Sequence, residues 1–247
     1  MDVILITGAS RGIGASTAHE CARRGHAVVI TYREQAAAAA REVSAIRAAG
    51  GQALALPLDL AATATFPTFA ARLGEHLTRE WAVERLAGLV NNAGLGFFEP
   101  LASVSEAQLD SLCQVHLKGP FFLTQALLPL LADGAAIVNL TSATTRVATA
   151  GVAPYAACKG GLEVLTRYMA KEFAERRIRV NAVSPGPVRT ELGGGLSDDF
   201  AALLASQTAL GRVGEPADIA RVIATLLGPD GAWINGQSLE VAGGYFL

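Results

Sequence analysis

The sequence predicts an α/β fold, namely one doubly wound parallel sheet of about seven strands with helices on both faces. Short apolar runs alternate with longer amphipathic stretches along the chain, which is typical of buried parallel strands connected by helices. A glycine-rich turn follows the first apolar run, as it does at the ligand-binding edge of such sheets. The 247 residues, 51% hydrophobic and 17% charged, suffice for one α/β domain with a large core.

The first half of the chain is predicted to contain four strands, because it has four short apolar runs bounded by polar or turn-forming residues. They lie at residues 3–6, 27–31, 53–56 and 86–90. Helical patterns separate them, from the glycine turn to about residue 24, at 34–49 and at 66–78. Gly25 and Gly50 follow the first two helices, and glycine is common directly after a helix.

The second half continues the alternation with more interruptions. Residues 103–131 predict one or two helices capped by Ser103 or Ser105, kinked or broken near Gly119 because Pro120 follows it. Residues 184–190 predict a turn that cannot continue a strand, and the three glycines at 193–195 predict either the hinge of a lid or an ordinary loop. The other predicted elements are strands at 135–140, 178–183 and 238–241 and helices at 153–175, at 198–207 and from 215.

Charge and hydropathy argue against several classes of partner. The formal net charge is −2 and no basic cluster is long enough for a nucleic-acid surface, so we expect no nucleic-acid partner. The densest positive group, Arg176, Arg177 and Arg179, is predicted to be a solvated helix end. The most apolar stretch, 121–132, is too short to cross a bilayer, and residues 1–6 lack the basic start of a signal peptide. We therefore expect a cytoplasmic protein without a membrane partner.

The cysteines are scattered along the chain. Cys21, Cys113 and Cys158 form no C-x-x-C pair. This pattern predicts reduced thiols with neither disulfides nor a zinc site, and we expect no bound metal.

The glycine-rich turn reads Gly8-Ala9-Ser10-Arg11-Gly12-Ile13-Gly14 and lies between the first predicted strand and the first predicted helix. Glycines let the backbone approach a phosphate closely, and the helix N-terminus offers free N–H groups and the positive end of its dipole. In this βαβ setting the turn predicts a Rossmann-type dinucleotide site, although its G-x-x-x-G-x-G spacing differs from the usual G-x-G-x-x-G.

The end of the second predicted strand indicates which dinucleotide binds. A carboxylate there suits a free ribose 2′-hydroxyl, whereas an arginine suits a 2′-phosphate. The chain has Tyr32-Arg33 at this point with no acid before Glu34, and Arg11 can reach the same region. We therefore predict that the chain binds NADP(H). The alternative interpretation of Arg33 is that it only starts the next helix and does not contact the cofactor.

Two further strand ends carry polar residues. Asp59 follows the third strand and is either an adenine contact or the N-cap of a helix. Asn91-Asn92-Ala93-Gly94 follow the fourth strand, and small and amide residues there fit a crevice that holds a ligand.

Residues Ser142, Tyr155 and Lys159 are the candidate catalytic group. Tyr155 and Lys159 are four residues apart, so on a helix they share one face. A phenol has a reference pKa of about 10, and a neighbouring ammonium favours the phenolate and brings that pKa towards the working range. With the Ser142 hydroxyl bonding a substrate oxygen, this group would add a proton to, or remove one from, an oxygen on carbon.

Together these motifs resemble the short-chain dehydrogenase/reductases over nearly the whole chain. The resemblance rests on Thr7-Gly8-x-x-x-Gly12-Ile13-Gly14, Asn91-Asn92-Ala93-Gly94, Ser142, Tyr155-x-x-x-Lys159, Asn181 and Pro185-Gly186 in the family's order. Residues 234–245 make the chain most similar to the 3-oxoacyl-[acyl-carrier-protein] reductases and related carbonyl reductases. The resemblance implies one domain over 1–247, with a dinucleotide-binding half of about 1–140 and a catalytic and substrate-binding half of about 141–247.

The resemblance also implies residue roles. Tyr155 would be the general acid in reduction and the base in oxidation, Lys159 would lower its pKa and bind the nicotinamide ribose, and Ser142 would hold the substrate carbonyl. The remaining matches would bind NADP(H): Gly8, Ser10, Arg11, Gly12, Ile13 and Gly14 on the phosphate and adenosine side, Asp59 and Leu60 at the adenine, Asn92, Ala93 and Gly94 in the crevice, and Pro185, Gly186, Val188 and Thr190 at the nicotinamide.

Two positions depart from the family. His116 stands where the family usually has an Asn whose main-chain carbonyl holds a water in a proton relay. Its imidazole is a candidate proton shuttle, because histidine titrates near neutral pH; the alternative is a tolerated, partly buried residue. Cys158 stands where Ser is common, and we expect a small buried filler.

The predicted function is NADPH-dependent reduction of a ketone to an alcohol. The substrate is a small carbonyl compound, either free or a 3-oxoacyl thioester on a carrier protein, as in fatty acid biosynthesis. The alternatives are an NAD(P)-dependent alcohol or sugar dehydrogenase and a weakly catalytic NADP(H)-binding regulatory protein.

The resemblance further implies a homotetramer, with the helix that bears Tyr155 at a subunit boundary. Residues 193–207 with Gly96, Phe97, Arg146 and Val147 would form a partly apolar substrate pocket. Arg146 and Arg189 are the candidate contacts for a carrier protein.

Overall fold

In the computed structural model, which describes residues 1–247, seven parallel strands form one sheet in the order β3-β2-β1-β4-β5-β6-β7. The strands are β1 (Val3–Ile6), β2 (Ala27–Tyr32), β3 (Gln52–Pro57), β4 (Leu86–Asn91), β5 (Leu131–Leu140), β6 (Arg179–Pro185) and β7 (Ser238–Val241). The predicted fold class is confirmed. The strand order reverses between β1 and β4, and ligands of doubly wound sheets bind at the carboxyl edge beside such a reversal.

Helices cover both faces of the sheet because side chains of a strand alternate between the faces. The helices are α1 (Gly12–Arg23), α2 (Ala36–Ala48), α3 (Phe66–Trp81), α4 (Glu106–Cys113), α5 (Gly119–Leu127), α6 (Ala153–Glu172), α7 (Asp198–Ser206) and α8 (Pro216–Leu227). Val3 and Leu5 of β1 join a buried cluster with α3, α5 and α6, whereas Ile4 and Ile6 join one with α1, α2 and α8. No helix is both long and apolar enough to cross a bilayer.

The segment between β4 and β5 is broken as predicted, at a π turn. Ser105 caps α4 in a capping box with Gln108, and a π turn at Gln114–Lys118 joins α4 to α5, whose first turn contains Pro120. A proline lacks the N–H that a helix interior needs, which accounts for the irregularity just before it.

Two predicted boundaries in this half of the chain were wrong. The helix predicted as far as Leu131 ends at Leu127, because Pro129 lies in a short 3₁₀ turn and Leu131 already pairs with Leu86 of β4. Strand β6 continues through Pro185, which pairs with Val241 of β7. Proline is tolerated at the end of a strand, where its missing N–H costs no ladder bond.

Of the three arginines after α6, only Arg177 is exposed as predicted, and the prediction was wrong for Arg176 and Arg179. Arg176 donates to Asp133 at 2.9 Å and to the Leu128 carbonyl at 2.7 Å. Arg179 donates to the carbonyls of Gly231 and Leu226 at 2.7 and 2.8 Å. Arg176 therefore ties the turn after α6 to β5 and the turn before it, and Arg179 ties β6 to the end of α8 and the turn that follows.

Candidate active site

A cavity of about 320 Å³ opens at the carboxyl edge of the sheet, where the strand order reverses. Its lining includes fourteen of the predicted site residues: Gly8, Arg11, Gly12, Ile13, Asn92, Gly94, His116, Ser142, Tyr155, Lys159, Pro185, Gly186, Val188 and Thr190. The other predicted residues are not in the lining: Ser10, Gly14, Tyr32, Arg33, Asp59, Leu60 and Ala93.

The glycine turn forms a close-packed cradle at one end of this cavity. Gly8 and Gly12 adopt φ values of +63° and +59°, which disfavour other residues. A Cβ on Gly14 would lie 2.5 Å from Asn92 Nδ2 and 2.7 Å from the Gly8 carbonyl oxygen. Asn92 in turn donates to the carbonyls of Thr7 and Gly8 at 2.8 and 3.1 Å, so it braces the turn as well as lining the cavity.

The N-terminus of α1 meets the requirements of an anion site. No side chain caps it, and its first turn contains no acidic residue. Free N–H groups and the helix dipole at such an end attract a phosphate. The cradle therefore fits the pyrophosphate of a dinucleotide.

The ends of β2 and β3 lie side by side beyond the cavity, since the Leu58 N–H donates to the Tyr32 carbonyl. Arg33 pairs with the adjacent Glu34 at 3.0 Å, and both side chains are exposed. The Asp59 carboxylate accepts from the Ala61 N–H at 2.9 Å, which makes a local turn and caps no helix, so the N-cap alternative was wrong. Leu60 is buried in the core cluster below α3.

Arg11 does not lie toward β2 in this structure. It bridges the glycine turn to the loop after β6, pairing with Glu191 at 2.7 Å. Both side chains are largely exposed, and ion pairs of this kind contribute little to stability and open readily.

Ser142 is held by a residue that sequence reasoning missed. It follows β5, and its hydroxyl oxygen accepts hydrogen bonds from the Thr144 hydroxyl at 2.9 Å and the Thr144 N–H at 3.2 Å. With both acceptor positions used, the Ser142 proton is left to be donated. The only sequence signal for Thr144 is a hydroxyl residue two positions after Ser142.

Removing the Thr144 hydroxyl is expected to lower kcat about 10-fold with little change in KM, because Ser142 would lose one hydrogen bond of about 1 kcal/mol and its orientation. The comparison is between Thr144→Val and Thr144→Ser under saturating substrate. Thr144→Ser keeps the hydroxyl and should restore most of the rate. Equal loss in both variants would show that Thr144 acts through packing instead.

Tyr155 lies in the first turn of α6, in the wall of the cavity. Burial raises the pKa of Tyr155 to about 12, against the opposing effect of a hydrogen bond with Ser142. The net pKa therefore lies above the usual value for a phenol, because desolvation of the phenolate outweighs the hydrogen bond. At neutral pH the phenol keeps its proton.

Lys159 is buried one turn further along the same face of α6. Its Nζ donates to the Leu140 carbonyl at 2.6 Å and lies 5.6 Å from the centre of the Tyr155 ring. Burial lowers the pKa of Lys159 to about 8. The lysine thus remains largely an ammonium at neutral pH and becomes neutral in mild alkali.

His116 lies in the π turn and is fully buried. Its Nε2 lies 2.6 Å from the Leu95 carbonyl, and its ring meets the Tyr155 ring edge to face at 5.0 Å between centres. Burial, followed by the charge of Lys159, lowers the pKa of His116 to about 3. The prediction that His116 titrates near neutral pH and shuttles protons was therefore wrong, because the imidazole is neutral there. Its Nδ1 has no hydrogen-bond partner.

Two of the three free thiols, distant in sequence, meet beside this group. Cys113 Sγ at the end of α4 lies 3.5 Å from Cys158 Sγ on α6. Cys158 is buried as expected, and burial raises its pKa to about 12. A thiol of that pKa is an unreactive filler between the two helices.

Arg146 and Arg189, the candidate carrier-protein contacts, already have partners. Arg146 donates to both oxygens of Glu240 at 2.7 and 2.6 Å and to the Tyr245 and Phe246 carbonyls at 2.7 and 3.1 Å. Arg189 lies 3.5 Å from a Glu215 oxygen. Arg146 and Val147 are absent from the lining, whereas Gly96 and Phe97 belong to it. Among the lining residues that the sequence analysis missed are Phe98, Thr149, Leu192 and Tyr245.

The charge states above predict the alkaline limb of a pH profile. If Tyr155 supplies a proton and Lys159 supplies the stabilising charge, kcat/KM for reduction should fall above pH 8 as Lys159 loses its proton. His116 is neutral throughout this range, so His116→Asn should leave the shape of the profile unchanged. A limb near neutral pH that disappears in His116→Asn would contradict this assignment.

Comparisons with known proteins agree with this geometry. The family model described as Enoyl-(Acyl carrier protein) reductase matches residues 8–246. The chain is 38% identical to an uncharacterized oxidoreductase of Methylorubrum extorquens over 98% of its own length and 96% of that protein. It is 35% identical to the 3-oxoacyl-[acyl-carrier-protein] reductase FabG of Staphylococcus epidermidis over 98% of each chain.

A solved structure is similar over nearly its whole length. The landomycin C-6 ketoreductase LanV with bound NADP and rabelomycin superposes with a TM-score of 0.91 at 33% identity. The match covers 99% of this chain and 96% of LanV.

Proposed function

The chain belongs to the short-chain dehydrogenase/reductases and is related to the 3-oxoacyl-[acyl-carrier-protein] reductases, and from this premise we propose that it reduces a ketone to an alcohol with NADPH. One observation carries the proposal. The cavity that begins at the phosphate cradle also reaches Ser142, Tyr155 and Lys159, so a dinucleotide and a carbonyl group have adjoining places.

In this proposal NADPH supplies the hydride, and the residues of the chain hold the reactants and move the proton. The Ser142 hydroxyl, oriented by Thr144, donates to the substrate carbonyl oxygen. Tyr155 gives its proton to that oxygen as negative charge develops there, because an alkoxide is a stronger base than a phenolate. A phenol with a pKa of about 12 is fully protonated at neutral pH and ready for this role.

Lys159 stabilises the phenolate that Tyr155 becomes after it has given up its proton. The phenolate of Tyr155 would lie in a poorly solvated wall, and the ammonium 5.6 Å from its ring centre is the nearest positive charge that can stabilise it. The hydrogen bond to the Leu140 carbonyl fixes the position of that ammonium. Lys159 would also bind the nicotinamide ribose.

Oxidation of reduced nicotinamide in the presence of a panel of ketones tests the proposal, with NADPH and NADH measured side by side. Turnover with NADPH supports ketone reduction. An enzyme that binds NADPH tightly but transfers no hydride to any member of the panel would favour the alternative of a regulatory NADP(H)-binding protein. Faster oxidation of an alcohol or sugar than reduction of any ketone would favour the dehydrogenase alternative.

The choice of NADP(H) rests on Arg11, Tyr32 and Arg33, and on the NADP bound in the structure of LanV. Arg33 is exposed at the end of β2, and its ion pair with Glu34 is of the weak surface kind, so the guanidinium is free to meet a 2′-phosphate. Arg33→Ala is expected to weaken NADPH binding about 10-fold and leave NADH binding unchanged, because only NADPH carries the 2′-phosphate. If Arg33→Ala weakened the binding of NADPH and of NADH equally, Arg33 would not discriminate between the two cofactors.

We also propose the homotetramer expected for the family. Apolar side chains on the outer faces of α5 and α6, among them Phe121, Phe122, Val164 and Tyr168, are exposed in the single chain. Exposed apolar clusters of this kind are typical of surfaces that associate. The Leu162 and Met169 side chains of α6 are buried in the core and take no part in this surface.

A further inference from the structure

Building on the proposed ketone reduction, we propose that the substrate is a free, uncharged ketone on a flat aromatic skeleton, not an acyl chain on a carrier protein. The inference comes from the part of the cavity beyond Ser142 and Tyr155, and from the charged groups around its mouth.

The wall opposite the reactive group is built largely of hydrocarbon. Its largest side chains come from the loop after β4, the loop after β6, α7 and the segment after β7: Phe97, Phe98, Leu192, Phe200, Leu204 and Tyr245. Four of these six are aromatic. Aromatic side chains prefer to stack on or meet the edge of another ring, and they add roughly 0.5–1.5 kcal/mol beyond the burial of area.

The Phe98 ring lies between the backbone at Gly151 and the backbone at Gly193, and it is still accessible to a ligand. Its neighbour Glu99 donates its N–H to the Gly151 carbonyl at 2.9 Å. A Cβ on Gly151 would lie 3.6 Å from one edge of the Phe98 ring, and a Cβ on Gly193 would lie 3.5 Å from another. The side chain nevertheless remains 58% exposed, so a hydrophobic surface is presented at the mouth of the cavity.

Tyr245 closes the wall on the other side. It is only 7% exposed and packs with Ala201 and Leu204 of α7 and with Ala143. Arg146 holds this segment by its bonds to the Tyr245 and Phe246 carbonyls, and the Phe246 N–H donates to the Gln207 carbonyl. The aromatic wall is therefore supported from behind before any ligand arrives, which lowers the cost of ordering on binding.

The charged groups around the mouth give it no net positive charge. Arg11 lies beside Glu191, Arg146 beside Glu240 and Arg189 beside Glu215. The remaining cation of the lining, Lys159, is buried and bonded to the Leu140 carbonyl. A phosphopantetheine arm carries a phosphate, and an acidic carrier protein is attracted by a surface of net positive charge. An apolar entrance without such a charge suits an uncharged molecule.

The test compares kcat/KM with NADPH for four ketones: α-tetralone, which is flat and aromatic; methyl hexyl ketone, which is linear; the acetoacetyl thioester of N-acetylcysteamine; and acetoacetyl-CoA. We expect kcat/KM for α-tetralone to exceed that for each of the others by about 2- to 12-fold, the size of one ring-stacking gain. A thioester that equals or exceeds α-tetralone would overturn the inference while leaving ketone reduction intact. Equal rates with methyl hexyl ketone would overturn the aromatic part of it.

A binding measurement keeps the inference testable if no ketone is reduced, which would be a failure of the proposed function. Naphthol is flat, uncharged and not reducible here, so calorimetry can measure its binding to the protein without turnover. Saturable binding that weakens about 10-fold in Phe98→Ala supports the inference, and absence of binding overturns it. Leu203→Ala is the matched control, because Leu203 is an exposed apolar residue of α7 outside the lining.

In the same comparison, Phe98→Ala should raise the KM for α-tetralone about 10-fold with little change in kcat, since Phe98 contacts the skeleton and not the reacting atoms. Leu203→Ala should leave KM unchanged. A fall in kcat with unchanged KM in Phe98→Ala would mean that Phe98 supports the catalytic group, and would overturn its role in substrate selection.

Discussion

Tyr155→Phe is expected to lower kcat for ketone reduction by about 10³-fold, within the range measured for loss of a general acid. The ring remains, so its edge-to-face contact with His116 and its packing in the cavity wall are retained. Only the proton that would neutralise the developing alkoxide is removed. Stopped-flow measurement of a single turnover with NADPH would separate this effect from product release.

The control for that experiment is Tyr168→Phe, on the same helix but with an exposed side chain outside the cavity. It should leave kcat unchanged. Binding of NADPH, measured by its fluorescence, should change little in either variant. If Tyr155→Phe kept a tenth or more of the rate, the proton would have to come from another group, and Ser142 would be the first to examine.

Gly14→Ala is expected to abolish NADPH binding and to destabilise the folded protein by about 1–3 kcal/mol, the usual cost of overpacking. The added Cβ would lie 2.7 Å from the Gly8 carbonyl oxygen and 2.8 Å from the Ala9 Cα, so the phosphate-binding turn itself must move. For a chain of this size that cost corresponds to a decrease of Tm of roughly 3–10 °C.

Gly74→Ala provides the contrast, because Gly74 lies within α3 and a Cβ there would meet only Leu130 Cδ2 at an ordinary 3.6 Å. Alanine favours the helix over glycine, so this variant should be as stable as the parent or more stable by about 0.5–1 kcal/mol. Thermal unfolding with and without NADPH measures both variants. A Gly14→Ala protein that is still stabilised by NADPH would show that the turn tolerates the extra carbon.

Local patterns were sufficient to predict most of the sheet. The bounds of the strands Val3–Ile6 and Ser238–Val241 were predicted to the residue, because turn-forming residues follow both of them. Errors arose where a strand boundary depends on its neighbour, as at Leu131, which follows a helical pattern but pairs with β4. Register with a distant strand is a tertiary property that a local pattern does not contain.

The candidate site was predictable in residue types but not in charge states or partners. The positions of Tyr155 and Lys159 on one helix face follow from their spacing, whereas the pKa of Tyr155 depends on how deeply the phenol is desolvated. Likewise Arg146 follows Ser142 closely in sequence and suggested a contact for a ligand. Its real partners, Glu240 and the carbonyls after β7, are about a hundred positions away along the chain.

The π turn at Gln114–Lys118 has a consequence for the length of this segment. A π turn is equivalent to one residue inserted into an α-helix, and each residue of an α-helix rotates the following side chains by about 100°. Deleting one residue between Cys113 and Gly119 would therefore give a continuous α-helix whose two flanks keep their faces. Cys113 of α4 would stay beside Cys158 of α6, and Gly119 would keep its close fit against Leu60. The change would fall on the wide turn itself, which holds the His116 ring against the Tyr155 ring, so the extra residue serves the geometry of the site and not the packing of the helices.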